Sequence, residues 1–206
     1  MIEENYKEWF SEVSFVKNDR IKERTDWQAA GIIANKKKMR DKRSDETIYR
    51  NTRDSMACEI GISDLIPTSH LNLQEFNHKD VSTYAWDVYE KTLEDHLEIK
   101  WMSTGSTWWT FTTGLWTKIK KNLSKGYPDK IVVATHIAQP ELDGSTVYPR
   151  MVINPHTFDN YIRESKYDNY KPFYYDHLKA LSDGECLTFN SEIVENNRLQ
   201  MNESMV

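Results

Sequence analysis

The sequence predicts an α/β fold of the α+β kind, a mixed central β-sheet flanked by helices, and three stretches predict it. Residues 45–66, DETIYRNTRDSMACEIGISDLI, read as one long helix. Residues 83–102, TYAWDVYEKTLEDHLEIKWM, read as two short strands joined by a charged turn. Residues 130–137, KIVVATHI, read as a buried strand, and an acidic turn with Asp143-Gly144 leads to another at 147–153. Their order describes a single domain over 1–206, with a helical part at 1–44, a core at 45–154 and a second helical part at 155–206.

Each element has a local reason. Phe10, Val13 and Val16, then Trp27, Ala30, Ile33 and Ala34, recur at helical spacing, so residues 1–35 are expected to be helical. KKKMRDKR at 36–43 is a basic run, either a solvated connection or a phosphate contact. Ser44 or Asp45 caps the next helix, acidic residues fill its first turn, and Gly61 then Pro67 mark its end. Residues 67–80 are a polar connection, and TWWTFTT at 107–113 is rich enough in β-formers for a third strand. In LWTKIKKNLSK, residues 115–125, Leu115, Trp116, Ile119 and Leu123 form an apolar stripe, while Lys118, Lys121 and Lys125 fall on another face. Gly126 and Pro128 stop that helix. From about Phe158 the chain reads as helical and aromatic, and residues 196–206 as a frayed end.

Composition narrows the function classes. Hydrophobic residues make up 38%, charged residues 29% and aromatic residues 12% of 206 residues, a modest aromatic core under a polar surface. The net charge of -5 gives no global attraction for nucleic acid, which leaves a local patch or a bound divalent cation to supply it. Cys58 and Cys186 match no zinc pattern and make no disulfide framework. No apolar run approaches the roughly 20 residues of a membrane span, and MIEENYKEWF is too acidic for a signal peptide, so a cytoplasmic location is expected. There is no glycine-rich phosphate loop, no helical histidine pair and no nucleophile elbow.

The chemistry is concentrated in residues 83–102. Strand side chains alternate, so Glu98 and Lys100 share one face while Ile99 and Trp101 take the other, and Asp87 is presented by the preceding strand. Two carboxylates suit magnesium, which prefers oxygen ligands, and a lysine beside them can orient an attacking water or stabilise the charge of a phosphate. A second triplet, Glu164-Ser165-Lys166, falls in a stretch read as helical, where residues two apart diverge.

This arrangement resembles the PD-(D/E)xK nuclease superfamily, the restriction-endonuclease-like fold, over about residues 45–137. Glu59 in MACEIG matches the glutamate of the helix, Asp87 the first acidic ligand, and Glu98-Ile99-Lys100 the (D/E)-x-K. The helix at 115–125 and the strand at 130–137 match the elements that follow. No proline precedes Asp87; Trp86 stands there. The resemblance implies a restriction-endonuclease-like core and a Mg²⁺-dependent deoxyribonuclease, with Mn²⁺ as a substitute. In it Asp87 and Glu98 bind the metal, Lys100 assists the water, and Glu59 supports the metal or its water. A homodimer is compatible with cutting both strands, though no sequence feature requires one.

Lys118, Lys121 and Lys125 on one helix, and Arg53 before Glu59 on the other, are the candidates for DNA backbone contact. Of Trp108 and Trp109, neighbours on a strand, only one can enter the core, and the exposed indole can stack on a base. Ser103, Thr104, Ser106 and Thr107 around Gly105 fit a polar turn or a phosphate contact equally. A second reading stays open: a non-catalytic DNA- or protein-binding adaptor, in which Asp87, Glu90, Glu94, Asp95 and Glu98 are an exposed hairpin edge and Lys100 a surface ion-pair partner.

Overall fold

A computed structural model describes residues 4–38, 40–71, 86–166 and 170–192. Its elements in chain order are α1 (Glu4–Trp9), β1 (Ser14–Lys17), α2 (Asn18–Asn35), α3 (Asp45–Leu65), β2 (Ser69–Leu71), β3 (Val88–Glu90), β4 (Asp95–Trp101), β5 (Thr110–Phe111), α4 (Thr113–Leu123), β6 (Lys130–Gln139), β7 (Gly144–Ile153), β8 (Ile162–Glu164), β9 (Phe173–Tyr175), α5 (His177–Ser182) and β10 (Cys186–Thr188). The central sheet runs β1-β7-β6-β4-β3-β2, with β10 also on β7, and β5-β9-β8 form a small second sheet. Only β4 and β6 are parallel, so the sheet is mixed, as expected. Among the described residues no helix is long and apolar enough to cross a membrane.

The alternation of β4 separates two cores. Leu97 and Ile99 point into a core beneath α3 with Val132, Ala134, Val147 and Val152. The opposite face of β6 and β7 sends Ile131, Val133, Met151 and Ile153 into a second core with Ile119 of α4, Trp109, Phe158 and Tyr175. Glu98 and Lys100 lie on that second face, at the register of Ile131 and Val133. α4 packs there with Ile119 buried, as its apolar stripe requires.

Four local expectations change. Residues 14–17 are a strand, not helix: Ser14 and Val16 are buried and Phe15 and Lys17 exposed, a period of two that docks on β7. Gly61 does not end α3, which continues to Leu65 and stops before Ile66-Pro67. It is instead a point of close approach, since a Cβ there would lie 2.5 Å from Val147 Cβ. The strand expected at 107–113 shrinks to β5 and joins the small sheet. The part expected to be helical from 155 onward is a 3-10 turn (Pro155–Tyr161), three short strands and the six-residue α5. Its aromatic residues are β-formers that fill the second core, and Pro155 and Pro172 interrupt any helical period. Residues 72–80 of the polar connection, 83–85 of the first strand and the end of the chain from 193 lie outside the described residues.

Ser44 caps α3 as expected, its hydroxyl accepting the Thr47 N–H at 3.1 Å. The Gly61 contact makes a sharp prediction. Gly61→Ala overpacks the α3–β7 interface and is expected to cost about 1–3 kcal/mol in urea unfolding. The cost should shrink when Val147→Gly is present, because that change removes the Val147 Cβ along with both methyls.

Candidate active site

Asp87 stands one residue before β3, and two backbone-anchored bonds hold it against β4. Its N–H donates to the Leu97 carbonyl at 2.7 Å. Its Oδ2 accepts the Ile99 N–H at 2.7 Å. The carboxylate is thus pinned over the middle of the Glu98-Ile99-Lys100 triplet. Lys100 Nζ lies 2.7 Å from Glu98 Oε1 and 3.7 Å from Asp87 Oδ2, and it donates to the Ile99 carbonyl at 2.8 Å. Lys118, reaching over from α4, adds a second ammonium 3.0 Å from Glu98 Oε1. The Glu98 side chain is only 3% exposed, and among the described residues its buried Oε2 has no hydrogen-bond partner. The three residues that the sequence pattern singled out therefore meet at one point, and they do not form an exposed hairpin edge.

The rest of that acidic stretch is accounted for separately. Glu90 is fully buried at the β3–β4 turn, where its carboxylate accepts the Thr92 N–H at 2.7 Å, the Leu93 N–H at 2.5 Å and the Thr68 hydroxyl. Asp95 accepts the Tyr6 hydroxyl at 2.7 Å and lies 3.5 Å from Lys130 Nζ. These carboxylates brace the hairpin and are not free to serve the cluster.

Electrostatics divides the carboxyl groups by role. Burial, then the Glu98 charge, pushes Asp87 up to about 6. Burial pushes Glu98 the same way, but Lys100 and Lys118 overcome it and hold its pKa below the ordinary value. Burial disfavours the charged form of Lys100, yet Glu98 and Asp87 outweigh this and raise its pKa, so it remains an ammonium at any working pH. Glu59 is half-buried on α3. Burial and the Asp87 and Glu98 charges raise its pKa well above that of a free glutamate, while Lys100 and Arg24 pull the other way.

The basic candidates separate. Lys118 is part of the cluster rather than a free phosphate contact. Lys121 is exposed and continues the Lys118 face along α4, and Lys125 is exposed in the turn just past the end of that helix. Arg53 is exposed on α3, but six helical positions put it about 120° around from Glu59, so the helix does not bring the two together. Of the tryptophan pair, Trp109 is buried and Trp108 is 37% exposed, as expected, although both precede β5 and neither lies on a strand. Glu164 and Lys166 lie at and beyond the end of β8, not in a helix. Sequence spacing does not reveal the Lys118–Glu98 ion pair or the amide and carbonyl of Ile99, because both depend on how α4 and β3 dock.

Among the described residues no three His, Cys, Asp or Glu side chains converge closely enough to hold a metal ion. The donor set near Lys100 is two carboxylates and a backbone carbonyl, all hard oxygens.

The chain is a member of a nuclease family. A family model described as bacteriophage T4 endonuclease IV matches residues 2–175, most of the chain, and the chain belongs to that family. Membership places it among endonucleases and supports DNA as what it cuts. No curated protein and no solved structure matches it.

The raised Asp87 pKa sets the sign of a stability effect. Between about pH 4 and 6 the folded chain keeps a proton at Asp87 that the unfolded chain has lost, so this carboxyl lowers stability as pH rises through that window. Asp87→Asn removes the effect. In EDTA the variant is expected to be about 1–3 kcal/mol more stable than wild type at pH 8, with the difference vanishing near pH 4 in urea melts.

Proposed function

We propose that this chain is a magnesium-dependent endodeoxyribonuclease whose site is of the PD-(D/E)xK type, built on a restriction-endonuclease-like core. One observation carries the reading: Asp87, Glu98 and Lys100 converge on one face, with a buried Glu98 oxygen left unpartnered. The match to the endonuclease family supports the reaction class and, with it, DNA as substrate.

The residues fit a divalent ion in their chemistry. Glu98 Oε1, Asp87 Oδ2 and the Ile99 carbonyl are hard oxygens grouped around a cation, at present the Lys100 ammonium, and Glu98 Oε2 and water would complete the shell. Magnesium bound there would lower the pKa of a water and offset the charge growing on the phosphate. Lys100 stays protonated, so it acts as a fixed positive charge that orients the water or steadies a nonbridging oxygen, not as a base. Glu59, whose ionised form is disfavoured, keeps a proton and would support the site by donating it, or a hydrogen bond, to a water there. Lys118 holds Glu98 in place, and Lys121 on α4 and Lys125 just past its end extend a basic track from it.

Asp87 must lose its proton to bind a cation. Activity at limiting Mg²⁺ is therefore expected to rise with pH through about 6 and then level off.

The direct test incubates the protein with supercoiled plasmid and with single-stranded DNA, in Mg²⁺ or EDTA. Cleavage is expected only with the metal, and Lys100→Ala, Asp87→Ala and Glu98→Gln should each lower the rate about a hundredfold or more. Metal-dependent cleavage that survives all three substitutions would place the chemistry elsewhere. An absence of cleavage on every DNA or RNA substrate would favour the adaptor reading.

A further inference from the structure

β7 carries a charge where charge is costly. Arg150 is only 7% exposed. Its Nη1 is buried, and among the described residues no hydrogen bond or ion pair reaches its guanidinium. Arginine stays protonated at any working pH, so burial leaves a full charge with no direct ion pair among the described residues. Burial depresses its pKa even though the Glu192 carboxylate acts in the other direction.

The backbone itself aims this side chain. The β6–β7 ladder slips between Val133 and Ala134: Met151 pairs with Val133 and Pro149 with Ala134, so Arg150 is the extra residue of a β-bulge, a device that re-aims a side chain. On the other edge its carbonyl accepts the Phe189 N–H at 3.0 Å, and Asn190 Nδ2 donates to the Pro149 carbonyl at 2.9 Å. The register runs from Lys100 to Val133 and from Val133 to Met151. Arg150 therefore stands level with the candidate active site, two inter-strand spacings or about 10 Å away.

His177, the first residue of α5, adds a second unmet group. Its Nδ1 is buried without a hydrogen-bond partner among the described residues. Burial keeps its imidazole below the ordinary histidine pKa, with the Asp176 charge and a bond to the Tyr175 backbone acting the other way and the Arg150 charge adding to burial. The ring of Trp108 lies 4.7 Å from it, with that indole partly open to solvent.

We propose that Arg150, with His177 beside it and Trp108 at the rim, is an anion site for a phosphate of the substrate strand that flanks the scissile one. A guanidinium offers paired donors that match phosphate oxygens, and an exposed indole offers a face to the adjoining base. The assignment to a DNA phosphate rests on the nuclease reading; the demand for an anion does not.

Arg150→Met tests it, because replacing an unpaired buried charge by an apolar side chain does not destabilise a fold. The thermal midpoint of the ligand-free variant is expected at or above that of wild type. Affinity for a fluorescein-labelled single-stranded oligonucleotide, read by anisotropy in EDTA, should fall about tenfold. The slope of log affinity against log salt should lose about 0.7, one phosphate contact. Inorganic phosphate should raise the midpoint of wild type and not of the variant. Trp108→Ala should weaken oligonucleotide binding with the salt slope unchanged. An Arg150→Met variant that melts well below wild type and keeps the full salt slope would make the guanidinium structural and overturn the proposal. If wild type cuts plasmid while Arg150→Met keeps the slope, the KM and the phosphate response, the nuclease stands and the anion site falls. If no DNA is cut or bound but phosphate still stabilises wild type through Arg150, the anion site stands and the nuclease reading falls.

Discussion

Lys100 sits between two carboxylates in a place where none of the three could stay buried alone. Its ammonium is 2.7 Å from Glu98 and 3.7 Å from Asp87. Removing the Lys100 charge leaves the two carboxylates desolvated beside each other, and removing Glu98 leaves the ammonium with Asp87 as its nearer carboxylate at 3.7 Å. This mutual dependence explains why the surrounding backbone is so tightly tied: Asp87 uses its own N–H and its carboxylate to grip both sides of the Glu98-Ile99 segment. The ion cluster and the β3–β4 pairing are one construction.

The wider fold exists to present that cluster. β4 must bury Leu97 and Ile99 under α3 for Glu98 and Lys100 to emerge on the other face. α3 can lie close to the sheet because Gly61 has no side chain to hold it off Val147. α4 then covers the polar face with Ile119 and brings Lys118 to Glu98. The charge balance of the site therefore depends on a helix more than ten residues downstream of the triplet. Lys118 belongs at once to the basic face of α4 and to the carboxylate cluster, which links the candidate chemistry to the surface that Lys121 and Lys125 extend.

Much of this is legible in the amino-acid sequence. The alternation in residues 95–101, the long capped helix α3, the amphipathic α4 and the buried strand β6 each announce themselves through local periodicity. The short elements do not. β1 is hidden in a stretch whose apolar residues also fit a helical spacing, and only its pairing with β7 selects the extended form. The aromatic region after Phe158 mimics a helix because its rings recur, yet they recur to fill the second core from short strands and a 3-10 turn.

By itself the sequence determined which side chains share a strand face, where the main helices begin, and that Glu98 and Lys100 point the same way, because these follow from backbone periods of two and 3.6 residues. Only the tertiary structure decided which distant groups complete the site. It set Asp87 against Ile99, Lys118 against Glu98, and Arg150 in a bulge with no direct ion pair among the described residues. Register slips and helix docking arise from packing between segments remote in the chain, and no local pattern encodes them.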